Sequence, residues 1–350
     1  MRVMIAGKRY CRSTRTKDRD QAERVLQRFL APFGLGEHRL PLADVWLEYV
    51  KSPNRNELAK ATLDAKRQVW MQFARWMEHF YLPVKDLAGV TADMVAEYLA
   101  CLRADLCATT YNGRVCILRE IFRVLAKKAG IEEDPWEGVR LRPDDSHSRR
   151  ELTMDELKRL LKAAKSEGDE WHNLFLVGIY TGLRLGDCCR LDWSQINIVE
   201  GVIQVVPQKT KRHHQRLVTI PVHPTLGEAL LSSIKQLEGS NNRPILTGPV
   251  LPTIFDLYTM CRSRVSDHLS AIFKAANIQT SVKLEGRKHK TPEATFHSLR
   301  HTFVSFAANA GVPLHIVQSI VGHESTAMTR HYYHENISAL KSAVNAIPAL

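Results

Sequence analysis

The sequence predicts a mainly α fold with a small antiparallel β-sheet, divided between two domains, and three features of its patterning lead there. Apolar residues recur at helical spacing through residues 39–135 and again from Leu226 onward. After Trp193 the period shortens to strict alternation for a brief stretch, as in half-buried strands. Between the helical regions, Arg140 to Arg150 trade apolar periodicity for Pro143, two aspartates, two serines and a pair of arginines, the composition of a linker. With 350 residues, 44% of them hydrophobic, the chain is long enough to bury two sizeable cores.

Residues 1–37 form a basic appendage. Arg9 to Thr16 alternate like a short basic strand, and a helix is expected from Gln21 to Leu30, stopped by Pro32, Gly34 and Gly36. Residues 1–36 hold nine Lys or Arg against three Asp or Glu, which is half of the chain's net charge of +12. Such an excess implies a polyanionic partner, either nucleic acid or an acidic membrane surface, and its distribution favours nucleic acid. A solvated tail is an equally open reading of this one segment.

Residues 38–139 read as a helical domain. Leu42, Val45, Trp46, Tyr49 and Val50 share one helical face, as do Val69, Phe73, Trp76, Met77 and Phe80, and later Val115, Leu118, Ile121, Phe122 and Leu125. The polar positions between them carry Lys60, Lys66, Arg67, Arg103, Arg114, Arg119, Lys127 and Lys128. Periodicity alone supports a bundle with a charged exterior. After the linker at 140–150, Thr153 with Glu156 three residues on makes a capping box that opens a second domain at 151–350.

In that second domain an apolar run, Leu174 to Ile179, leads into Tyr180-Thr181-Gly182-Leu183-Arg184-Leu185-Gly186-Asp187. Glycines flanking an arginine there predict a helix stop followed by a close backbone approach. Ile196 with Ile198, then Val202 to Val206, then Leu217 to Ile220 predict an antiparallel sheet. Its last turn, Pro207 to Arg216, holds Lys209, Lys211, Arg212 and Arg216 beside two histidines. Helices resume at Leu226, interrupted by an irregular stretch near Gly239 to Pro252 and a basic loop at Lys283 to Lys290.

No stretch approaches the roughly 20 apolar residues that a membrane-spanning helix needs, and no secretory core opens the chain, so a cytoplasmic protein with no membrane partner is expected. Seven cysteines, at 11, 101, 107, 116, 188, 189 and 261, are scattered and include no CxxC pair. That argues against a disulfide framework and a zinc knuckle.

The chemistry concentrates in the last quarter, where His297-Ser298-Leu299-Arg300 precedes Gly322-His323 and Tyr332. Two bases, a guanidinium and a phenol without a carboxylate suit an anionic phosphate attacked by a tyrosine. Three-residue spacing puts His297 and Arg300 on one side of a helix. The nine residues from His323 to Tyr332 would put them on opposite sides of one straight helix, so the chain must turn between them, and Ser325-Thr326 offers a helix start for that turn. Tyr333 competes with Tyr332 on composition alone.

These two islands resemble the paired signature boxes of the tyrosine recombinases, the phage integrase family. The first matches in YTGLRLGD and in Leu191 to Trp193. The second matches in HSLRHTF, in Gly311-Val312-Pro313, in VGH and in the tyrosine nine residues beyond that histidine. The likeness runs over roughly residues 150 to 340 and implies a two-domain C-shaped DNA clamp, a helical core-binding domain followed by a tyrosine-recombinase catalytic domain. It implies a site-specific recombinase that cuts and rejoins double-stranded DNA at specific sites through a 3′-phosphotyrosine and a Holliday junction, as a nucleoid-associated homotetramer on DNA, with accessory DNA-bending proteins as further partners. Residue by residue, it assigns Arg184 and Arg300 to the phosphate, His297 as general base and His323 as hydrogen-bond donor. Tyr332 becomes the nucleophile and Lys209 the general acid, with Lys211 as the alternative.

Neither a cofactor nor ATP is expected. His297 and His301 have zinc spacing but lack the adjacent glutamate of HExxH, and a nearly all-positive site repels a divalent ion. Asp187 is expected to be structural. Beyond Tyr332, Ile337, Leu340, Ala343, Val344, Ile347 and Leu350 form an apolar stripe that either folds back or, as in the family, docks into a neighbouring subunit. The basic arm inclines the reading toward a mobile element. Type IB topoisomerase-like relaxation and a non-catalytic DNA-binding accessory protein are the rival functions.

Overall fold

The computed structural model describes residues 40–321 except 144, 146, 209–216, 239–246 and 285–286, together with residues 2–5, 8–11 and scattered positions from 13 to 26. The described residues are mainly helical, with small antiparallel sheets. The chain divides into two compact units, Met1–Ser146 and His147–Leu350.

The first unit opens with a hairpin, β1 (Arg2–Ile5) pairing antiparallel with β2 (Lys8–Cys11), Arg2 opposite Cys11 and Ile5 opposite Lys8. This corrects the single strand expected from Arg9 to Thr16. A lone strand leaves its backbone groups unpaired, whereas a second strand immediately upstream satisfies them. At the start of the expected helix, Asp18 Oδ1 accepts from Gln21 N and Asp18 O accepts from Ala22 N, both at 2.9 Å. Residues 23, 24 and 27–30 of that helix lie outside the described residues.

Four helices follow: α1 (Val45–Lys51), α2 (Lys60–Phe80), α3 (Ala92–Asp105) and α4 (Ala108–Ala129). They enclose an aromatic core in which Trp70, Phe73, Phe122 and Trp136 are buried with ring centroids 5.6–6.4 Å apart in successive pairs. On α2 the buried stripe runs through Trp70, Phe73 and Met77, while Phe80, expected on the apolar face, is 60% exposed. Lys66 also departs from expectation. Rather than joining the charged exterior it is buried on α2, where its ammonium pairs with Glu120 and donates to Tyr49 Oη at 3.2 Å. The sequence hides this because Glu120 lies 54 residues away on α4.

Part of the expected linker packs on this unit. Asp145 caps α4 from a distance, its carboxylate accepting from Ala108 N at 2.9 Å and Thr109 N at 3.3 Å. Arg142 and Asn112 exchange two 2.8 Å hydrogen bonds. Gly130, in the left-handed conformation at φ 68°, ends α4.

The second unit begins with α5 (Met154–Ser166), whose capping box forms as expected: Thr153 Oγ1 accepts from Glu156 N, and Glu156 Oε2 accepts from Thr153 N. Next come α6 (Asp169–Thr181), the short α7 (Leu185–Cys188) and a three-stranded antiparallel sheet in the order β3 (Ile196–Asn197), β4 (Val202–Val205), β5 (Val218–Pro221). The register sets Ile203 opposite Ile220 and Val205 opposite Val218 on the buried face, with Gln204 opposite Thr219 on the exposed one. Alternation in the sequence is therefore alternation of faces. The remaining elements are α8 (Pro224–Glu238), α9 (Pro252–Met260), α10 (Arg262–Ala275), a hairpin of β6 (Ser281–Val282) and β7 (Thr291–Pro292), α11 (Phe296–Asn309) and α12 (Leu314–Val321). The basic loop from Lys283 to Lys290 is the connection of that last hairpin. No described helix is long and apolar enough to cross a membrane.

Helix α6 is the centre of the second core. Leu174, Phe175, Leu176 and Val177 are buried in succession, as only a helix enclosed on all sides permits. On its face toward α11, a Cβ at Gly178 would lie 2.7 Å from the Phe296 ring and 2.9 Å from Leu299. Gly178→Ala is therefore expected to wedge the two helices apart at a cost of about 1–3 kcal/mol, typical of overpacking, read as a fall in the urea midpoint with little change in slope.

Candidate active site

Three of the six residues singled out from the sequence, Arg184, His297 and Arg300, lie among the described residues. Lys209, His323 and Tyr332 lie outside them, as do Lys211, Tyr333, the Ser325-Thr326 helix start and the terminal apolar stripe. Arg184 comes from the turn between α6 and α7, whereas His297 and Arg300 come from the first turns of α11.

Gly182 shapes the turn before Arg184. It stands just past the end of α6 in the left-handed conformation at φ 62°, and its N–H donates to Gly178 O. A Cβ here would also meet Phe303 of α11 at 2.9 Å. Glycine is thus required twice over, by backbone angle and by the close approach of α11. Gly186 serves the same end on α7, where a Cβ would lie 2.7 Å from Tyr258 Oη.

Arg300 is 3% exposed, yet its guanidinium donates to backbone carbonyls of two other helical segments. Nη1 donates to Gly182 O at 2.9 Å, and Nη2 donates to Val321 O at 2.6 Å. Burial, followed by the charge of Arg184, lowers its pKa to about 9, so the group stays charged at neutral pH. Arg184 is half-buried and its Nη1 has no hydrogen-bond partner among the described residues.

His297 is held neutral. Burial pushes its pKa down to about 3, helped by His301, Arg149, Arg300 and Arg184. The His301 ring meets it edge-on at a centroid distance of 4.9 Å. A neutral imidazole can accept a proton, so cation donors and a proton acceptor from separate segments converge on one place.

Asp187, one turn beyond Arg184, is buried, and its Oδ1 accepts from Gln208 N at 3.0 Å. It thereby fixes the chain at the residue before Lys209. The sequence marked Asp187 as structural but carried no sign of its partner 21 residues on.

Because His297 is protonated more readily in the unfolded chain than in the fold, the unfolded state binds more protons between about pH 6.5 and 3. Stability then rises with pH across that window and is lost on acidification. His297→Gln is expected to flatten the pH dependence of the urea midpoint there. An unchanged dependence would contradict the buried neutral imidazole. Arg300→Lys, which cannot span both carbonyls, is expected to lose about 1–3 kcal/mol of stability in the same assay.

Comparison with known proteins adds a second line of observation. The sequence profile of the Phage integrase family matches residues 150–338. A tyrosine recombinase from Pseudothermotoga lettingae is 22% identical over 264 residues, covering 75% of this chain and 83% of that protein. The tyrosine recombinase XerD of Pseudomonas aeruginosa is 25% identical over 297 residues, 83% of this chain and 89% of that protein. Among solved structures, a Tn1549 transposon integrase in complex with transposon right end DNA superposes with a TM-score of 0.64 at 18% identity, covering 87% of this chain and 99% of that one. A lambda integrase tetramer bound to a Holliday junction gives 0.65 at 19% identity, covering 95% of this chain and 92% of that one. At these identities the structural likeness shows a shared fold.

Proposed function

The chain belongs to the phage integrase family, the tyrosine recombinases, and from that premise we propose that it breaks and rejoins duplex DNA at specific sites through a covalent 3′-phosphotyrosine. The observation that carries this reading is the neutral His297 beside Arg184 and Arg300, brought together from two distant segments.

A phosphodiester repels its own attacker, and negative charge grows on the nonbridging oxygens as attack proceeds. Arg184 and Arg300 offset that charge with groups that remain protonated. Arg184, with a buried N–H free of partners among the described residues, is poised to donate. His297 is too weak a base in the free protein. A phosphate held between the same arginines adds negative charge beside the imidazole and lifts its pKa toward the working range.

Tyr332 attacks phosphorus as its phenolic proton passes to His297. The bond from phosphorus to the 5′ oxygen breaks, and Lys209 protonates that oxygen. Rejoining runs the steps in reverse, so the bond energy stays in the phosphotyrosine and no ATP is consumed. His323 donates to a nonbridging oxygen. Two such exchanges, one per strand pair and through a Holliday junction, complete recombination by four subunits on two sites.

The test uses a labelled pool of nicked duplexes of randomised sequence, in which cleavage beside the nick releases a short fragment and traps the adduct. Wild type is expected to give an SDS-resistant protein–DNA adduct with or without EDTA, and the sequence enriched in it defines the target. Tyr332→Phe is expected to abolish the adduct while Tyr333→Phe retains it. Arg184→Ala and Arg300→Ala are expected to slow its formation by about a hundred- to a thousandfold. Adduct surviving in Tyr332→Phe, or lost with EDTA, would overturn the mechanism. Relaxation of a plasmid without exchange between two sites would point instead to a topoisomerase, and binding without adduct to an accessory protein.

A further inference from the structure

Arg149 stands at the start of the second unit, outside every residue assigned a role above. The backbone beside it is fixed: Arg150 N donates to Glu293 O at 3.0 Å, and Leu152 N donates to Thr302 Oγ1 at 2.8 Å. Thr302 belongs to α11, the helix that carries His297 and Arg300. The segment is thus moored to the helix of the site.

The Glu156 carboxylate in this neighbourhood is committed to the adjacent arginine, while Glu293 keeps its Oε2 buried without a hydrogen-bond partner among the described residues. Arg150 reaches Glu156 through Nη1 at 2.8 Å and Nη2 at 2.6 Å, and its Nε lies 3.8 Å from Glu293 Oε1. Arg149 makes no ion pair among the described residues, and its Nε is buried there without a hydrogen-bond partner. A buried guanidinium N–H without an acceptor is unfavourable, and a bound anion would supply one. The position fits that idea, since the Arg149 charge bears on His297 more strongly than Arg300 or Arg184 does.

We propose that Arg149 is a further phosphate-binding residue of the site, donating to a backbone phosphate of the strand being cut, on the His297 side. An anion is the acceptor that satisfies the N–H and offsets the third guanidinium together. Arg149 would orient the strand rather than stabilise the attacked phosphorus. The inference rests on the reading of the chain as a DNA-cutting recombinase.

Its test separates the two claims. Arg149→Gln, Arg149→Lys and, as a structural control, Arg150→Gln are titrated against a fluorescent random-sequence duplex over a range of salt. Each is then followed in single turnover on a nicked duplex of the enriched sequence, at saturating protein. Arg149→Gln is expected to make the plot of log Kd against log salt shallower by about one and to slow adduct formation about tenfold or more. Arg149→Lys keeps the charge and is expected to hold the slope and recover most of the rate. Arg150→Gln is expected to lower the Tm and leave the salt slope unchanged. A wild-type slope in Arg149→Gln, a lysine variant as defective in slope as the glutamine one, or an equal change of slope in Arg150→Gln would overturn the assignment. Absence of adduct from wild type would sink the recombinase reading instead, while the salt slope would still report on Arg149.

Discussion

One buried guanidinium holds the second unit's chemistry together. Arg300 joins Gly182, just beyond α6, to Val321 of α12, while standing on α11 itself. The Gly182 carbonyl stands at the C-terminus of α6, where aligned peptide dipoles leave partial negative charge, so the cation meets favourable potential there. Taking such a charge out of water costs several kcal/mol, which only multiple well-directed partners offset. The carbonyls and the field of Asp187 supply them, and the depressed pKa of about 9 shows how much burial still presses on the group. The same bonds fix Val321, the residue before Gly322-His323, relative to the turn that carries Arg184.

That bridge requires α11 to come unusually close to α6, and the approach is written in glycine. At Gly178 the obstacle to a methyl group is the Phe296 ring, and at Gly182 it is the Phe303 ring, one turn of α6 further on. The spacing lets two aromatic side chains of α11 lie directly on the α6 backbone, which sets how far apart Arg184 and His297 can be. A tolerance of a few tenths of an ångström in helix packing thus becomes a tolerance in the placement of charge, since close-packed interiors transmit displacement rather than absorb it.

Local rules made much of this legible. The capping box at Thr153, the left-handed stop at Gly182 and the alternation of β4 and β5 each follow from a few adjacent residues and stand in the structure as read, whereas the first strand ends at Asn197 and leaves Ile198 exposed. What escaped reading depends on partners distant along the chain. Lys66 looked like one more surface lysine because its carboxylate is 54 positions away. Asp187 gave no hint of Gln208, and Asp145, within an apparent linker, gave none of its task at the start of α4. Phe80 obeyed the helical period and still faces water, because the stripe on α2 is rotated toward Trp70. Arg149 was visible only as half of a basic pair. Nothing in Arg149-Arg150 says that one side chain will take the carboxylates and the other will have none.

That asymmetry bears on how the free protein relates to its complex. Burial and the neighbouring His301 hold His297 neutral, helped by the charges of Arg149, Arg300 and Arg184, and the Arg184 charge also bears on the buried Arg300. Mutual repulsion among fixed cations destabilises the fold locally, and an anion bound among them removes it, so DNA that binds only the folded state raises stability as well as occupying the site. A phosphate arriving there does two things through one electrostatic change. It offsets the guanidinium charges and, in the proposed mechanism, raises the basicity of the His297 imidazole toward what taking a proton from a phenol requires. In the proposed mechanism the base is therefore weak until substrate is in place, which keeps a nucleophilic tyrosinate from forming where there is no phosphorus to attack.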